Sequence, residues 1–190
     1  SAMTPDSPGV RAGLAAANVL ARAGFPTAAG TLADVLEPFS RGRGDLAAIG
    51  GFRLRNREPG KAADFLRRAA LMEPGDPSLW LMSARASIQA GDKKSAADDL
   101  RSCRELTLDQ EDLARLAVLC QDLGDRVQAL ALLDKLVAEH PDRARFLSDR
   151  AVLHSLLGHR KDAWRDAKAA AVADPAFLPA AKALIALADT

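Results

Sequence analysis

The chain places apolar residues at helical spacing in short segments that Gly, Pro or Asp residues separate. In residues 77–90 the apolar positions are held by Leu79, Trp80, Met82, Ala86 and Ile88. Asp76 suits the N-cap of this segment, and Pro77 suits the first helical position, where its missing N–H costs nothing. Gly91 then ends the segment, and a second one covers residues 93–106. We therefore predict two consecutive helices joined by a tight turn.

The same pattern recurs along the chain with a period of 33 or 34 residues. Gly91, Gly124 and Gly158 mark three successive turns at this spacing. Gly24 lies 67 residues, or two periods, before the first of them, and the intervening turn falls at Arg57 in an Arg-Glu-Pro-Gly sequence. Seventeen residues after the turns stand Arg41, Pro74, Leu108, Pro141 and Pro175. The chain therefore consists of five predicted helix pairs.

An alanine stands five residues after every turn. We name this set the alanine column: Ala29, Ala62, Ala96, Ala129 and Ala163. These residues lie where the two helices of each predicted pair approach most closely, so a small side chain is a packing requirement. We predict that they are buried and that a large side chain there costs about 1–3 kcal/mol.

A helix–turn–helix unit of 33–34 residues with this pattern resembles the tetratricopeptide repeat (TPR) family, over about residues 10–177. Trp80 stands in the aromatic position of the family, and Gly91 and Ala96 follow at the family's spacing. The other repeats have Gly13, Leu46, Leu113 and Leu147 in that position. Where the family usually has Tyr, this chain has Leu20, Arg53, Ser87, Cys120 and His154. HEAT-like pairs are the competing family, but their period is longer, about 40–47 residues.

The resemblance implies an all-α fold, an α-α superhelix of antiparallel helix pairs that bury a core by stacking on their neighbours. The predicted repeats are 10–42, 43–76, 77–109, 110–143 and 144–177. Residues 1–9 are expected to be a flexible N-terminus, in which Ser1-Ala2-Met3 has the pattern of a remnant of tag cleavage. Residues 178–190 are expected to form a mostly apolar C-terminal helix that caps the stack, continues into further repeats or contacts another subunit.

Composition and charge argue against a β-sandwich fold and against nucleic-acid or membrane partners. Hydrophobic residues make up 48% of the chain, enough for a core, whereas aromatic residues make up only 4%, which argues against a β-sandwich. With 26 basic and 25 acidic residues, the net charge of +1 selects neither a polyanion nor a membrane surface. No apolar stretch approaches the roughly 20 residues of a membrane span. We expect no nucleic-acid partner and no membrane insertion.

Candidate chemistry is sparse, and we predict no catalytic residue, no metal site and no cofactor. The Arg41-Gly42-Arg43-Gly44 loop follows no strand and has no interleaved aromatic residue, so it lacks the context of a phosphate loop or an RNA contact. The histidines show no zinc-like ligand spacing, so we interpret His140, His154 and His159 as structural or surface residues. Cys103 and Cys120 are interpreted as small buried hydrophobic residues, and the Asp98-Asp99 pair as part of a solvated face.

By resemblance, the first helix of each repeat lines a concave groove that holds a peptide or a helix of a partner protein. The residues carried over to this groove are Arg11, Asn18, Arg22, Arg55, Leu81, Arg85, Ile88, Gln89, Val118, Gln121, Asp122, Arg145 and Val152. Residues 1–95 have 13 basic and 9 acidic side chains, and residues 96–190 have 13 and 16. This polarity favours a partner segment with acidic and apolar residues. Only Asn18 matches the carboxylate clamp of some co-chaperone TPRs, so a chaperone-tail receptor is not expected.

The sequence thus favours a non-catalytic scaffold or adaptor that binds another protein. Two alternatives stay open: a dedicated bacterial TPR-type secretion or assembly chaperone, and a regulatory repeat domain of a larger enzyme. The C-terminal helix offers a route to an oligomer. A cytoplasmic location is favoured, with a periplasmic one as the alternative if a signal peptide once preceded the chain.

Overall fold

A computed structural model describes residues 6–182 of the 190-residue chain. Within that range the backbone is helical and contains no strand. The helices are α1 (Pro8–Arg22), α2 (Pro26–Leu36), a short 3-10 helix (Glu37–Phe39), α3 (Arg43–Arg55), α4 (Pro59–Met72), α5 (Pro77–Gln89), α6 (Lys93–Arg104), α7 (Gln110–Leu123), α8 (Arg126–Glu139), α9 (Ala144–Leu156) and α10 (Arg160–Ala173). Residues 178–182 are helical as well.

The helices divide between two compact units. Unit 1 covers residues 1–107 and contains α1 to α6, and unit 2 covers residues 108–190 and contains α7 to α10. In unit 1, α1 pairs with α2, α3 with α4 and α5 with α6, and α1 and α5 each also contact α3. In unit 2, α7 pairs with α8 and α9 with α10, while α9 also contacts α7 and α8. The predicted all-α fold of antiparallel helix pairs is confirmed.

The five predicted turns share one backbone conformation. Gly24, Gly91, Gly124 and Gly158 have φ angles of 89°, 80°, 96° and 77°, the left-handed region that glycine enters at no steric cost. Arg57 takes the same conformation with φ 62°, although a residue with a Cβ pays for it. Arg57 therefore occupies the turn between those at Gly24 and Gly91, as the period of the repeat predicts.

The alanine column is fully buried in all five helix pairs, which confirms that prediction. The helices are just as close at Gly50 of α3, where an added Cβ would lie 2.6 Å from Leu66 Cγ of α4. Ala62 and Leu66 of α4 also form a core cluster with Ala86 of α5, against which Leu54 and Met82 pack. Small residues thus let the paired helices approach, and the larger aliphatic residues fill the space beside them.

The third helix pair begins and ends nearly where the sequence predicts. Asp76 accepts a hydrogen bond from the Ser78 backbone N–H at 2.9 Å, and Asp92 caps α6 in the same way. The Trp80 indole N–H donates to the Pro74 carbonyl at 2.9 Å, so the single aromatic residue at this repeat position fixes the loop before α5. Helices α5 and α6 end one and two residues before the predicted limits.

Residues 6–9 belong to the segment predicted to be flexible, in which Pro8 begins α1 and the two residues before it are bonded to α3. The Asp45 backbone N–H donates to Asp6 Oδ1 at 3.2 Å, and the Ser7 N–H donates to Asp45 Oδ2 at 2.8 Å. A Cβ at Gly42 or Gly44 would collide with Asp6. The glycines of the predicted interrepeat loop therefore admit the chain's own N-terminal segment.

Two other predictions fall wholly or mostly outside the described residues. The first is the tag remnant at residues 1–3, and the second is the C-terminal capping helix beyond residue 182. The repeat boundaries stay predictions. Cys103 and Cys120 are both buried, as expected.

Candidate partner-binding faces

The first helices of unit 1 present a row of polar side chains at two repeat positions, six and two residues before each turn. Because these positions are four residues apart, they lie on the same side of a helix. The first-helix face of unit 1 is defined by five residues at these positions, with Ile88 beside Gln89 added: Asn18, Arg22, Arg55, Arg85, Ile88 and Gln89 on α1, α3 and α5. All six were predicted to line a groove, and each is at least partly exposed.

Contacts join three helices at the centre of this face. Arg55 Nη2 on α3 donates to Asn18 Oδ1 on α1 at 3.3 Å, and the Asn18 amide in turn donates to the Leu14 carbonyl at 2.9 Å. A Cβ at Gly51 would lie 3.5 Å from Arg55 Nη1 and 3.8 Å from Met82 Cε of α5. The Arg55 side chain therefore lies over Gly51, with α1 on one side and α5 on the other.

The three arginines of this face have no carboxylate partner among residues 6–182. Arg55 bonds only to the neutral Asn18 amide, and neither Arg22 nor Arg85 makes a hydrogen bond or an ion pair with a described residue. Arg43, by contrast, lies 2.7 Å from Glu73. The guanidinium groups of the face therefore keep their paired N–H donors available for a carboxylate.

Two of the predicted groove residues of unit 1 are placed differently. Leu81 is 3% exposed, and Leu14, Ala114 and Ser148 at the equivalent repeat positions are buried too, whereas Ala47 is partly exposed. The Leu81 side chain therefore offers little surface to a partner. Arg11 is exposed, but its guanidinium lies 2.6 Å from the Asp6 carboxylate, which neutralises its charge.

The first-helix face of unit 2 is formed by α7 and α9, and its one predicted arginine is neutralised. Arg145 Nη1 lies 2.6 Å from Glu111 Oε2, one period earlier, and its Nε lies 3.9 Å from Asp149. Burial raises the pKa of the Asp149 carboxyl, and Arg145 opposes that shift. The positive charge of Arg145 is therefore offset by two nearby acidic residues.

Apolar side chains take the place of the arginines in unit 2. Val118 and Val152 stand six residues before their turns, like Arg85, and are 37% and 43% exposed. Leu156 stands two residues before its turn, like Arg55, and is 49% exposed. Gln121 and Asp122 lie beside Val118 on α7, half-buried and exposed. The first-helix face of unit 2 is therefore defined by Val118, Gln121, Asp122, Arg145, Val152 and Leu156.

The burial of two polar side chains was not predicted from the sequence. Arg53 was noted only as a departure from the usual Tyr, yet its side chain is 1% exposed and lies 2.5 Å from Asp34 and 2.8 Å from Glu58. Asp99 was assigned to a solvated face, but it is fully buried and accepts hydrogen bonds from Arg67 and Ser83. For Asp99 the signal in the sequence is a second aspartate, Asp166, 67 positions or two periods later, whereas no other repeat has an arginine at the position of Arg53.

The predicted turn at Gly158 brings two of the three histidines into contact. His154 and His159 lie on either side of Gly158, and their Nδ1 atoms are 3.3 Å apart. Among residues 6–182 no group of three or more His, Cys, Asp or Glu side chains is arranged to hold a metal ion. Over the same residues, no helix has both the length and the apolar character that a bilayer crossing requires.

Solved structures share this architecture at low sequence identity. The crystal structure of YrrB, described as a TPR protein with an unusual peptide-binding site, matches with a TM-score of 0.63 and 19% identity, over 90% of this chain and 89% of YrrB. TTC0263, a thermophilic TPR protein of Thermus thermophilus, matches with a TM-score of 0.67 and 16% identity, over 95% of this chain and 100% of that chain. PilF of Pseudomonas aeruginosa matches with a TM-score of 0.64 and 15% identity, over 95% and 83%.

These matches establish that the chain has the TPR fold, which confirms the predicted resemblance. No protein-family model matches the sequence, and neither does any curated protein. Proteins of this fold generally serve as protein–protein interaction modules and are typically non-catalytic.

Proposed function

We propose that the chain is a non-catalytic scaffold or adaptor that binds a peptide or a helix of a partner protein on its first-helix faces. The partner segment contains acidic residues for unit 1 and apolar residues for unit 2. The observation that carries this proposal is the set of three arginines, Arg22, Arg55 and Arg85, which have no carboxylate partner among the described residues. YrrB is described as having a peptide-binding site, which supports a peptide as the kind of ligand.

The chemistry of each face supports this division of roles. A guanidinium group pairs with a carboxylate through two parallel hydrogen bonds, and an exposed cation steers an acidic segment toward it. Val118, Val152 and Leu156 offer aliphatic surface, and its removal from water by a partner stabilises the complex. Arg145 adds little attraction for an acidic residue, because Glu111 already lies 2.6 Å from it.

The test is capture of partner proteins from an extract of the source organism by the immobilised chain, with Arg22, Arg55 and Arg85 all changed to Glu. We expect the triple variant to lose most of the captured protein, since attraction becomes repulsion, while its melting temperature stays within about 2 °C of the original. The matched control changes Arg68, Arg101 and Arg104, which are exposed on the second helices of unit 1, to Glu. It alters the net charge equally and should capture normally. Equal loss in both variants, or in neither, would show that the face is not the binding site.

The exposed apolar row of unit 2 favours one second candidate, a chaperone that masks an apolar segment of a client protein. A scaffold partner stays soluble without the chain, whereas a client of a chaperone aggregates. Expression of the captured partner alone and together with the chain distinguishes the two. A Val118→Ser and Val152→Ser double variant should lose the protective effect if unit 2 shields the client.

A further inference from the structure

The turn between α9 and α10 holds two histidines in direct contact, a feature that partner binding does not use. His154 is the third residue from the end of α9, and His159 is the N-cap of α10. Their Nδ1 atoms are 3.3 Å apart and their ring centroids 5.5 Å apart. An N–H···N hydrogen bond between two imidazoles requires a proton on one of the facing nitrogens and a lone pair on the other. We name these two residues the imidazole pair.

Charged groups surround the imidazole pair, but they are bonded mainly to one another. Asp166 of α10 accepts two hydrogen bonds from Arg150 of α9, at 2.6 and 3.0 Å. Arg150 also donates to Asp134 of α8 at 3.0 Å, and Arg165 lies 3.0 Å from Asp162. His154 Nε2 is 3.9 Å from Asp166, beyond hydrogen-bond distance. Asp166 is therefore held mainly by Arg150, and it acts on His154 as a nearby negative charge without a hydrogen bond.

The environment of His154 disfavours its charged form. Burial lowers the pKa of His154 below its ordinary value, Asp166 and Asp162 act in the opposite direction, and Arg150 and His159 lower it further. A histidine that is harder to protonate when folded contributes stability above its unfolded pKa of about 6.5. That contribution is lost as the pH falls from there through the lowered folded value.

We propose that the imidazole pair is a pH-sensitive contact that holds the end of α9 to the start of α10 at neutral pH and opens on acidification. When both rings are protonated, each facing nitrogen carries a proton, so two opposed N–H groups and two like charges replace the hydrogen bond. Helix α9 also carries Val152 and Leu156, so acidification weakens partner binding on unit 2 as well. This last consequence rests on the proposed function, whereas the opening of the turn does not.

The test compares melting temperatures at about pH 7.5 and about pH 5.5 for the unmodified chain, His159→Gln and His140→Gln. His159 is exposed at a helix start, so its replacement leaves the core intact. His140, whose ring lies 6.0 Å from Phe146 in the same unit, is the matched control. We expect acidification to lower the melting temperature of the unmodified chain and of His140→Gln by about 3 °C more than that of His159→Gln. An equal shift in all three proteins would overturn the proposal.

Hydrogen exchange supplies a second readout that does not depend on global melting. Amides at the end of α9 and the start of α10 should exchange several times faster at the lower pH, after correction for intrinsic rates, than those of α7 and α8. His159→Gln should remove that contrast. Uniform exchange across unit 2 at both pH values would contradict the proposal even if partner binding changed with pH.

Discussion

Units 1 and 2 place a buried polar contact at the same three repeat positions but distribute the charges differently. In unit 1, Arg67 of α4 donates to Asp99 of α6 at 2.9 Å, and Ser83 of α5 donates to the other carboxylate oxygen at 2.7 Å. In unit 2, two periods later, the three positions hold Asp134, Arg150 and Asp166. Arg150 takes the place of the serine and bonds to both acidic residues.

The repeat therefore determines where a buried polar contact lies, while the side chains that form the contact can differ between the units. The equivalent pair of positions on the first and second helices is apolar elsewhere, with Ile49 and Phe65 in repeat 2 and Leu116 and Leu132 in repeat 4. A buried carboxylate is tolerated only where a guanidinium or hydroxyl group reaches it. The cation comes from the preceding helix pair in unit 1 and from the same helix pair in unit 2.

The largest expected effect comes from removing the cation of each contact. Arg150→Ala removes two charge-assisted hydrogen bonds from Asp166, whose side chain is 2% exposed and retains, among the described residues, only a longer bond of 3.4 Å from the exposed Arg165, so we expect a loss of about 3–5 kcal/mol in the free energy of unfolding. Arg67 is 36% exposed and Asp99 keeps the Ser83 hydroxyl, so Arg67→Ala should cost less, about 1.5–3 kcal/mol. Urea unfolding of both variants measures the difference. The reverse order would mean that the hydroxyl contributes little.

A smaller effect tests what the units share, the alanine column. Ala129→Leu in α8 and Ala96→Leu in α6 should each cost about 1–3 kcal/mol, because both residues are fully buried between paired helices. Ala131→Leu is the matched control, since Ala131 is exposed on the same helix as Ala129 and should change stability by less than about 0.5 kcal/mol. Thermal melting distinguishes them. Unchanged melting of Ala129→Leu would mean that the helices can separate there without cost.

The periodic features were predictable from the sequence, because each depends on one residue type repeated at a fixed spacing. The turns and the alanine column need only a local backbone conformation and a small volume, and both show directly in the residue type. Arg53 and Asp99 were not predictable in this way, since an isolated polar residue indicates exposure unless its partner is known. Their partners lie 19 and 16 residues away in the chain, for Asp34 and Ser83, and only the packed helices bring them together.

The candidate faces divide in the same manner. Arg22, Arg55 and Arg85 follow from the repeat positions, and their exposure agrees with the prediction. The resemblance places Leu81 in the groove, but its residue type does not show that it is buried. Neutralisation of Arg145 by Glu111 was equally hidden, because the two residues are one period apart in the chain and meet only when α7 and α9 pack side by side.

The smallest expected effect comes from neutralising the buried carboxyl group of Asp99. Burial raises the pKa of Asp99, with Ser83 and Arg67 acting against that shift, so folding favours the protonated form and the related stability is lost as the pH rises through the folded value. Asp99→Asn keeps a neutral polar group of the same shape and should lie within about 1 kcal/mol of the original at neutral pH, with a flatter stability curve as the pH rises above about 4.

Asp166→Asn sharpens the contrast, because it weakens two charge-assisted bonds from Arg150 and should cost about 1.5–3 kcal/mol. Urea unfolding at several pH values compares the two variants directly. If Asp99→Asn proved the more damaging, the ionised carboxylate of unit 1 would contribute more than the bidentate pair of unit 2. Unit 1 would then depend on its contact with Arg67 as strongly as unit 2 depends on Arg150, since the hydroxyl of Ser83 can bond equally well to a neutral amide oxygen.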